Sequence, residues 1–359
     1  MVAKQIRKTP EKIKEEILLN LRDGPMSTKK LSDILGSNWS TVNNYLVELS
    51  KEGQVREIYS KENLKVYIRS DYPVFYGLPL DKEKLKQSLF LLSRIVERWD
   101  NNRKGESIAK IPLQKIAVDL ITKNNLDIPV VRFHYGKVLA TYFEPRTFKD
   151  TIKIYDITNI NLSDDVIDKE IKEHSNIAWL EKRKQYESPL HPEMKIFDLS
   201  DKVSYLISKS KFENAEQLIQ LFNEILLKFP TEENYSQLFE YYHEFIGAIN
   251  FILKSTEFID AKEEDKERYL KEILDTFDSL WQTLTTEFFF EDIEKYIDKN
   301  FLEIFKFIRD NKTKTYYCEL QDKLDNLLDY KKSLSLKKIE LDEEDKKILN
   351  IFLEGANEE

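Results

Sequence analysis

One cysteine, Cys318, stands among 359 residues, so no disulfide can form within the chain and a reducing cytoplasm is the expected setting. Glycine and proline are also scarce, with 8 and 10 positions, and such a chain suits helices better than an all-β fold. No Gly-x-Gly-x-x-Gly, Gly-x-x-x-x-Gly-Lys-Ser/Thr or Gly-x-Ser-x-Gly pattern occurs. Nothing local therefore cradles a phosphate or presents a serine nucleophile, and no cofactor is expected. The most apolar window, Phe245 to Leu253, is interrupted by Asn250 and falls far short of the ~18 to 20 residues that a membrane span needs. Residues 1–12 are polar and basic, without the apolar stretch of a signal peptide. The four histidines, His134, His174, His191 and His243, include no pair at metal-binding i, i+4 spacing. Glu173-His174 lacks the second histidine of a His-Glu-x-x-His motif, so His174 reads as a surface residue and no metal site is expected.

What the chain does have is core material. Apolar residues make up 41% and aromatics 12%, enough to argue against disorder despite 34% charged residues. The length suggests two or three domains of ~150 residues. Abundant lysine, isoleucine and glutamate suit a prokaryotic chain. The net charge of −9 is unevenly spread: residues 1–72 carry 13 Lys and Arg against 10 Asp and Glu, and all of the acidic excess lies beyond them. Only the N-terminal part has the sign that favours a polyanion.

That part is also the most legible. Thr9-Pro10-Glu11 is a helix start, with Ile13, Ile17, Leu18 and Leu21 on one face, and Asp23-Gly24-Pro25 ends the helix. Ser27 caps a second helix with Leu31, Ile34 and Leu35 inward, and Gly36 terminates it. Ser37-Asn38 opens a third helix with the buried stripe Val42, Leu46 and Leu49, stopping at Gly53. Val55 to Tyr59 and Leu64 to Ile68 alternate around a polar tip, the pattern of a β-hairpin. The run from Leu31 through Gly36, Trp39, Thr41 and Val42 to Leu46, Leu49, Gly53 and Val55 resembles the winged helix-turn-helix of ArsR- and MarR-like regulators. The resemblance covers residues 9–70 and implies double-stranded DNA as partner.

Beyond residue 72 the expectation is a mainly α chain. A small α+β middle unit fills residues 73–160, and an all-α helical bundle fills 161–359. In the middle unit Asp81 caps a long amphipathic helix, a second runs over about 107–123, and Val130 to His134, Val138 to Phe143 and Thr151 to Ile157 read as strands. Tyr135-Gly136-Lys137 is the expected turn between the first two. Leu113-Gln114-Lys115, Pro129 and Tyr135-Gly136 resemble, over a short pattern, the Panacea-type antitoxin domain, and no function is carried over from it. Helices are expected over 163–185, 212–229, 232–255, 262–289, 291–309, 315–332 and 342–354, with no fixed repeat period. Acidic runs such as Glu263 to Asp265 and Asp342 to Asp345 read as helix starts on solvated faces.

A recognition helix places its outward side chains against base edges in the major groove. Here those are Ser37, Asn38, Ser40, Thr41, Asn43 and Asn44, with Val47 beside them. Asparagine can pair bidentately with adenine, and hydroxyls reach bases or phosphates. Lys29 and Lys30 on the preceding helix, and Arg56, Lys61, Lys65 and Arg69 on the hairpin, are the expected phosphate or minor-groove contacts. Residues 37–50 depart from the family in holding no Lys or Arg, only Glu48. Trp39 reads as a packing residue. The leading expectation is a transcriptional regulator, with a homo-oligomer or protein partner engaged through the C-terminal helices. The competing one is a non-catalytic adaptor whose winged helix binds protein. A third, weaker one is an enzyme with a site in residues 107–160.

Overall fold

The computed structural model describes residues 9–61, 64–103, 106–141, 158, 160–208 and 215–337. The expected strand over 151–157, the end of the strand that was to reach Phe143, and the expected helix over 342–354 with its acidic run lie outside these described residues. The chain is mainly helical with two small antiparallel sheets. It divides into two compact units, residues 1–197 with 285–315, and residues 198–284 with 316–359.

The first unit begins with α1 (Pro10–Asn20), α2 (Thr28–Leu35) and α3 (Trp39–Lys51). Their ends follow local chemistry. Thr9 accepts from the Lys12 amide and Pro10 occupies the first turn. Ser27 accepts from the Lys30 amide, and Gly36 ends α2 in the left-handed region at φ 60°. Asn38 caps α3 through the Ser40 amide. Strands β1 (Met26–Ser27), β2 (Val55–Lys61) and β3 (Leu64–Arg69) form a sheet in the order β1-β3-β2. Ile13, Ile17, Leu21, Leu31, Leu35, Val42, Leu46, Leu49, Val55 and Tyr67 make one core. Two expectations change here. Ile34 is 50% exposed and Trp39 44% exposed, so neither packs inward.

Strand β3 is central in its sheet and is buried on both faces. Tyr67 points into the three-helix core, while Val66 and Ile68 join a second core with Tyr59. The alternation is that of any strand; what the sequence did not reveal is that both sides are covered. The Tyr59 ring packs edge-on against Phe307, with centroids 4.8 Å apart.

That second core belongs to α4 (Lys82–Asn102), α5 (Lys110–Lys123), β4 (Val130–Phe133), β5 (Gly136–Leu139), α6 (Asp164–Glu173) and the stretch from Phe289 to Ile308. Asp81 caps α4 through the Glu83 and Lys84 amides. The β4–β5 turn falls on His134-Tyr135, one residue earlier than expected, because Phe133 pairs with Gly136 and Gly136 opens β5 at φ 88°.

The expected helix over 163–185 is broken into α6 and α7 (Ala178–Glu187). His174 is extended there, and the Ser175 amide donates to Glu181 Oε1 rather than to a helical carbonyl. Asn176 in the same break accepts from the Ala109 amide and so caps α5. Helix α6, just beyond the expected boundary at residue 160, packs on the helices that precede it. Ile167 and Ile171 enter the second core, and ion pairs Arg94–Asp164, Arg98–Asp168 and Lys123–Glu170 tie α6 to α4 and α5.

The described residues of the second unit form helices joined by turns, with no strand among them. Helices Ala215–Leu226 and Ser236–Lys254 meet through Phe222 and Phe245, whose ring centroids are 5.2 Å apart. The fully buried Tyr242 donates to the Phe222 carbonyl. Helix Lys195–Ser208 was not expected. Helices Glu263–Glu294 and Leu302–Lys337 each run through positions where a break was expected. No helix among the described residues is long and apolar enough to cross a membrane.

Candidate functional site

The N-terminal surface distributes the expected contact residues unequally. Lys29, Lys30, Asn38, Ser40, Asn44, Arg56 and Lys61 are exposed, and Ser37, Thr41, Asn43, Lys65 and Arg69 are half-buried. On α3 the outward face holds Ser40 and Asn44, and residues 39, 43 and 47 line its margin by helical spacing. Trp39 and Val47 add apolar surface there, and Val47 is 38% exposed. Two amides are compromised. Asn38 Oδ1 is engaged by the Ser40 amide at 2.9 Å, and Asn43 Oδ1 lies out of solvent with no hydrogen-bond partner among the described residues. Asn44 alone offers a whole amide.

The hairpin cations are more constrained than the sequence suggests. Arg69 forms a fork with Asp71, both contacts 2.7 Å, and reaches the Leu18 carbonyl. Lys65 pairs with Glu57 at 3.3 Å, and the same carboxylate accepts from Tyr67, whose hydroxyl is pushed up to about 12 by burial and that bond. The Arg56 guanidinium lies over Gly77, where an added Cβ would meet Nη2 at 2.7 Å. Lys29, Lys30 and Lys61 have no ion-pair partner among the described residues and are the cations best placed to meet an external anion.

The Gln114-Lys115 and Tyr135-Gly136 pattern proves to be one assembly. Gln114 accepts from the Leu139 amide at 2.8 Å and donates to the Thr141 carbonyl, serving as partner to the outer edge of β5. Lys115, 1% exposed, donates its three protons to the Tyr135 and Lys137 carbonyls and to Gln185 Oε1, at 2.6, 2.9 and 2.8 Å. Gly136 is required beside it, since a Cβ would stand 2.5 Å from Gln185 Oε1. The ammonium is saturated by neutral acceptors, which is a fastening rather than a nucleophile.

A second buried polar centre overturns the surface reading of His174, whose side chain is 1% exposed. Its Nδ1 lies 2.5 Å from Glu181 Oε2. Its Nε2 faces two carboxylates, Glu170 Oε1 at 3.1 Å and Asp119 Oδ2 at 3.3 Å. Lys123 donates to both Glu170 oxygens, at 2.7 and 2.8 Å, and the fully buried His191 places Nε2 3.4 Å from Asp119 Oδ1. Burial would lower the His174 pKa, but the three carboxylates outweigh it and raise it to about 10. Burial would likewise raise Asp119, but its bonds to His174 and His191 hold it well below the usual carboxylate range. In sequence, the visible sign was Glu170 and His174 at i, i+4, one face of a helix. A search for paired histidines passes over it, and Asp119 and Glu181 arrive only through the packing of α5 and α7.

His134 shifts the opposite way from His174. Burial lowers it to about 4, and its Nδ1 sits 2.7 Å from Thr285 Oγ1. No family model matches the sequence, and no curated protein or solved structure shows significant similarity to it.

Proposed function

We propose that residues 9–70 form a winged helix-turn-helix and that the protein binds double-stranded DNA through α3, as a transcriptional regulator. The observation that carries the reading is the exposed, uncharged face of Ser40 and Asn44 on a helix that follows α2 by a tight Gly36-Ser37-Asn38 turn. A neutral helix can enter the major groove if cations at its flanks supply phosphate contacts. Lys29 and Lys30 on one side and Lys61 at the hairpin tip are those cations. Arg56 and Arg69 are not assigned to DNA, since the first is laid over Gly77 and the second is bound by Asp71.

The test is titration of the full chain with mixed duplex DNA at several salt concentrations. Three phosphate contacts correspond to a slope of log K against log salt of about −2.7. Replacing Lys29, Lys30 and Lys61 by alanine should flatten that slope and weaken binding to all sequences alike, whereas Asn44→Ala should reduce discrimination between sequences. Absence of binding at low salt refutes the proposal.

A second reading, protein recognition, is favoured by one observation: Trp39 and Val47 share the outward side of α3, and Ile34 on α2 is exposed too. Exposed aromatic and aliphatic side chains suit a protein anchor better than a phosphate backbone. In that case the lysine variant binds its partner normally and Trp39→Ala abolishes binding.

A further inference from the structure

The His174 centre gathers more carboxylates than ammonium groups. Asp119, Glu170 and Glu181 contribute three carboxylates, against which Lys123 sets one ammonium that it also shares with the exposed Glu173. The imidazoles of His174 and His191 stand against these carboxylates, so the cluster gathers two ring nitrogens and several oxygen donors at one place.

The distances make the same distinction. A charge-assisted N–H to carboxylate bond is about 2.7–2.9 Å, and the Glu181 contact at Nδ1 is at least that short. At Nε2 two oxygens, at 3.1 and 3.3 Å, compete for a single proton, and neither comes that close. Those separations match the edges of a coordination polyhedron instead. Two donors each about 2.0–2.1 Å from one ion stand about 2.8–3.0 Å apart at an octahedral angle and about 3.3–3.4 Å apart at a tetrahedral one, a span that includes both separations. Asp119, Glu170 and His174 offer one donor atom each, all within 4.8 Å of one another. The fourth feature is at Nδ1, where Glu181 accepts and so directs the lone pair of Nε2 toward the two oxygens. A carboxylate behind the histidine is the usual outer partner of a metal-bound imidazole. His191 adds a further ring nitrogen beside the second Asp119 oxygen.

We propose that Asp119, Glu170 and His174 Nε2 bind one divalent transition-metal ion, with Glu181 orienting the imidazole. Mixed oxygen and imidazole donors suit zinc, manganese or iron(II) and disfavour calcium, which takes oxygen alone. The Asp119 side chain, 15% exposed, and Lys123, 35% exposed, give solvent access. Bound there, the ion joins α5 to α6 next to the break that precedes α7, so its loss loosens the arrangement of these helices. This site stands apart from α3 and does not depend on DNA binding.

The experiment is chelator-competition titration of the metal-stripped full chain with Zn2+, followed by pulsed EPR of the Mn2+ form. One equivalent of Zn2+ is expected. Affinity should fall at least a hundredfold in Asp119→Asn and in His174→Gln, and stay unchanged in His243→Gln, whose histidine is exposed in the second unit. Buried substitutions can impair folding, so the spectrum of the unaltered protein decides independently: bound Mn2+ should show 14N coupling from imidazole. Absence of stoichiometric Zn2+ binding, binding retained in a folded Asp119→Asn variant, or a Mn2+ spectrum without imidazole nitrogen overturns the proposal.

Discussion

Replacing Lys115 by methionine keeps most of the stem that packs in the core and deletes the ammonium. Each hydrogen bond from a charged donor is worth about 1.5–3 kcal/mol. Three are lost, to the Tyr135 and Lys137 carbonyls and to Gln185 Oε1. Two of those acceptors keep another partner, because Lys137 O also accepts from Gln185 Nε2 and Gln185 Oε1 also accepts from the Lys137 amide. The Tyr135 carbonyl loses the donor that the lysine supplied. Against this stands relief of several kcal/mol, since taking an ammonium out of water into the core is costly. The difference is a loss of about 2–4 kcal/mol. A chain of two units need not unfold in one step, so the suitable measurement is local: native-state hydrogen exchange of the Gly136–Leu139 amides. Their opening free energy should drop by that amount, while amides of helix Ser236–Lys254 stay protected as before. Unchanged or slower exchange in β5 would refute the view that Lys115 is a fastening, and would leave its burial as a feature kept for chemistry.

Arg132 binds Asp292 through Nε and Nη2 at 2.9 Å, reaches Glu291 at 2.9 Å, and stacks 4.2 Å above Phe288. Arg132→Ala should lower the opening free energy of the β4 amides in native-state hydrogen exchange by about 2–3 kcal/mol and Arg132→Lys nearly as much, because lysine cannot reproduce the fork; a loss under about 0.5 kcal/mol would place it among ordinary surface pairs. His134 titrates near 4 when folded and 6.5 when unfolded, so the unfolded chain binds the extra proton between those values. Its contribution is complete above about pH 6.5 and is lost as pH falls toward 4, at most roughly 3 kcal/mol from the 1.36 kcal/mol per pKa unit. Wild type should therefore lose more stability than His134→Gln between pH 7 and 4.5, and parallel losses in the two proteins would contradict a neutral buried imidazole.

Legibility in the sequence followed the range of the interactions. Helices α1 to α3 could be read because caps and stripes act within a few residues: Thr9, Ser27 and Asn38 cap where expected, and Ile13, Ile17, Val42, Leu46 and Leu49 are buried. The same local rules failed for Ile34, because inwardness depends on what stands opposite and not on the helix alone. The break between α6 and α7 was invisible for a related reason. Its helical period continues through residue 174, and what interrupts it is a side chain seven residues on, Glu181, holding both His174 and the Ser175 amide. Polar residues at remote positions carry no periodic signal, so buried charge is where a pattern-based reading is blind.

The consequence reaches the functional argument. The hairpin was expected to lie open to a duplex, yet Tyr59, Val66 and Ile68 bury one of its faces in a core shared with α4, α5 and Phe305. Strand β3, covered on both faces, cannot lie along a minor groove, which leaves the edge strand β2 and the end near Lys61 exposed to an external anion. With Arg56 laid over Gly77, the proposed DNA binding would draw its phosphate contacts mostly from the first turn of α2, where Ser27 fixes the backbone and Lys29 and Lys30 project outward. With so few cations, a single such module would bind duplex DNA weakly at physiological salt. Useful affinity would require two copies on one duplex, each adding its own few contacts to a shared free energy. Binding that rises linearly with protein concentration and saturates at one chain per duplex, with no second event, would therefore count against the regulator reading even if Lys29 and Lys30 proved important.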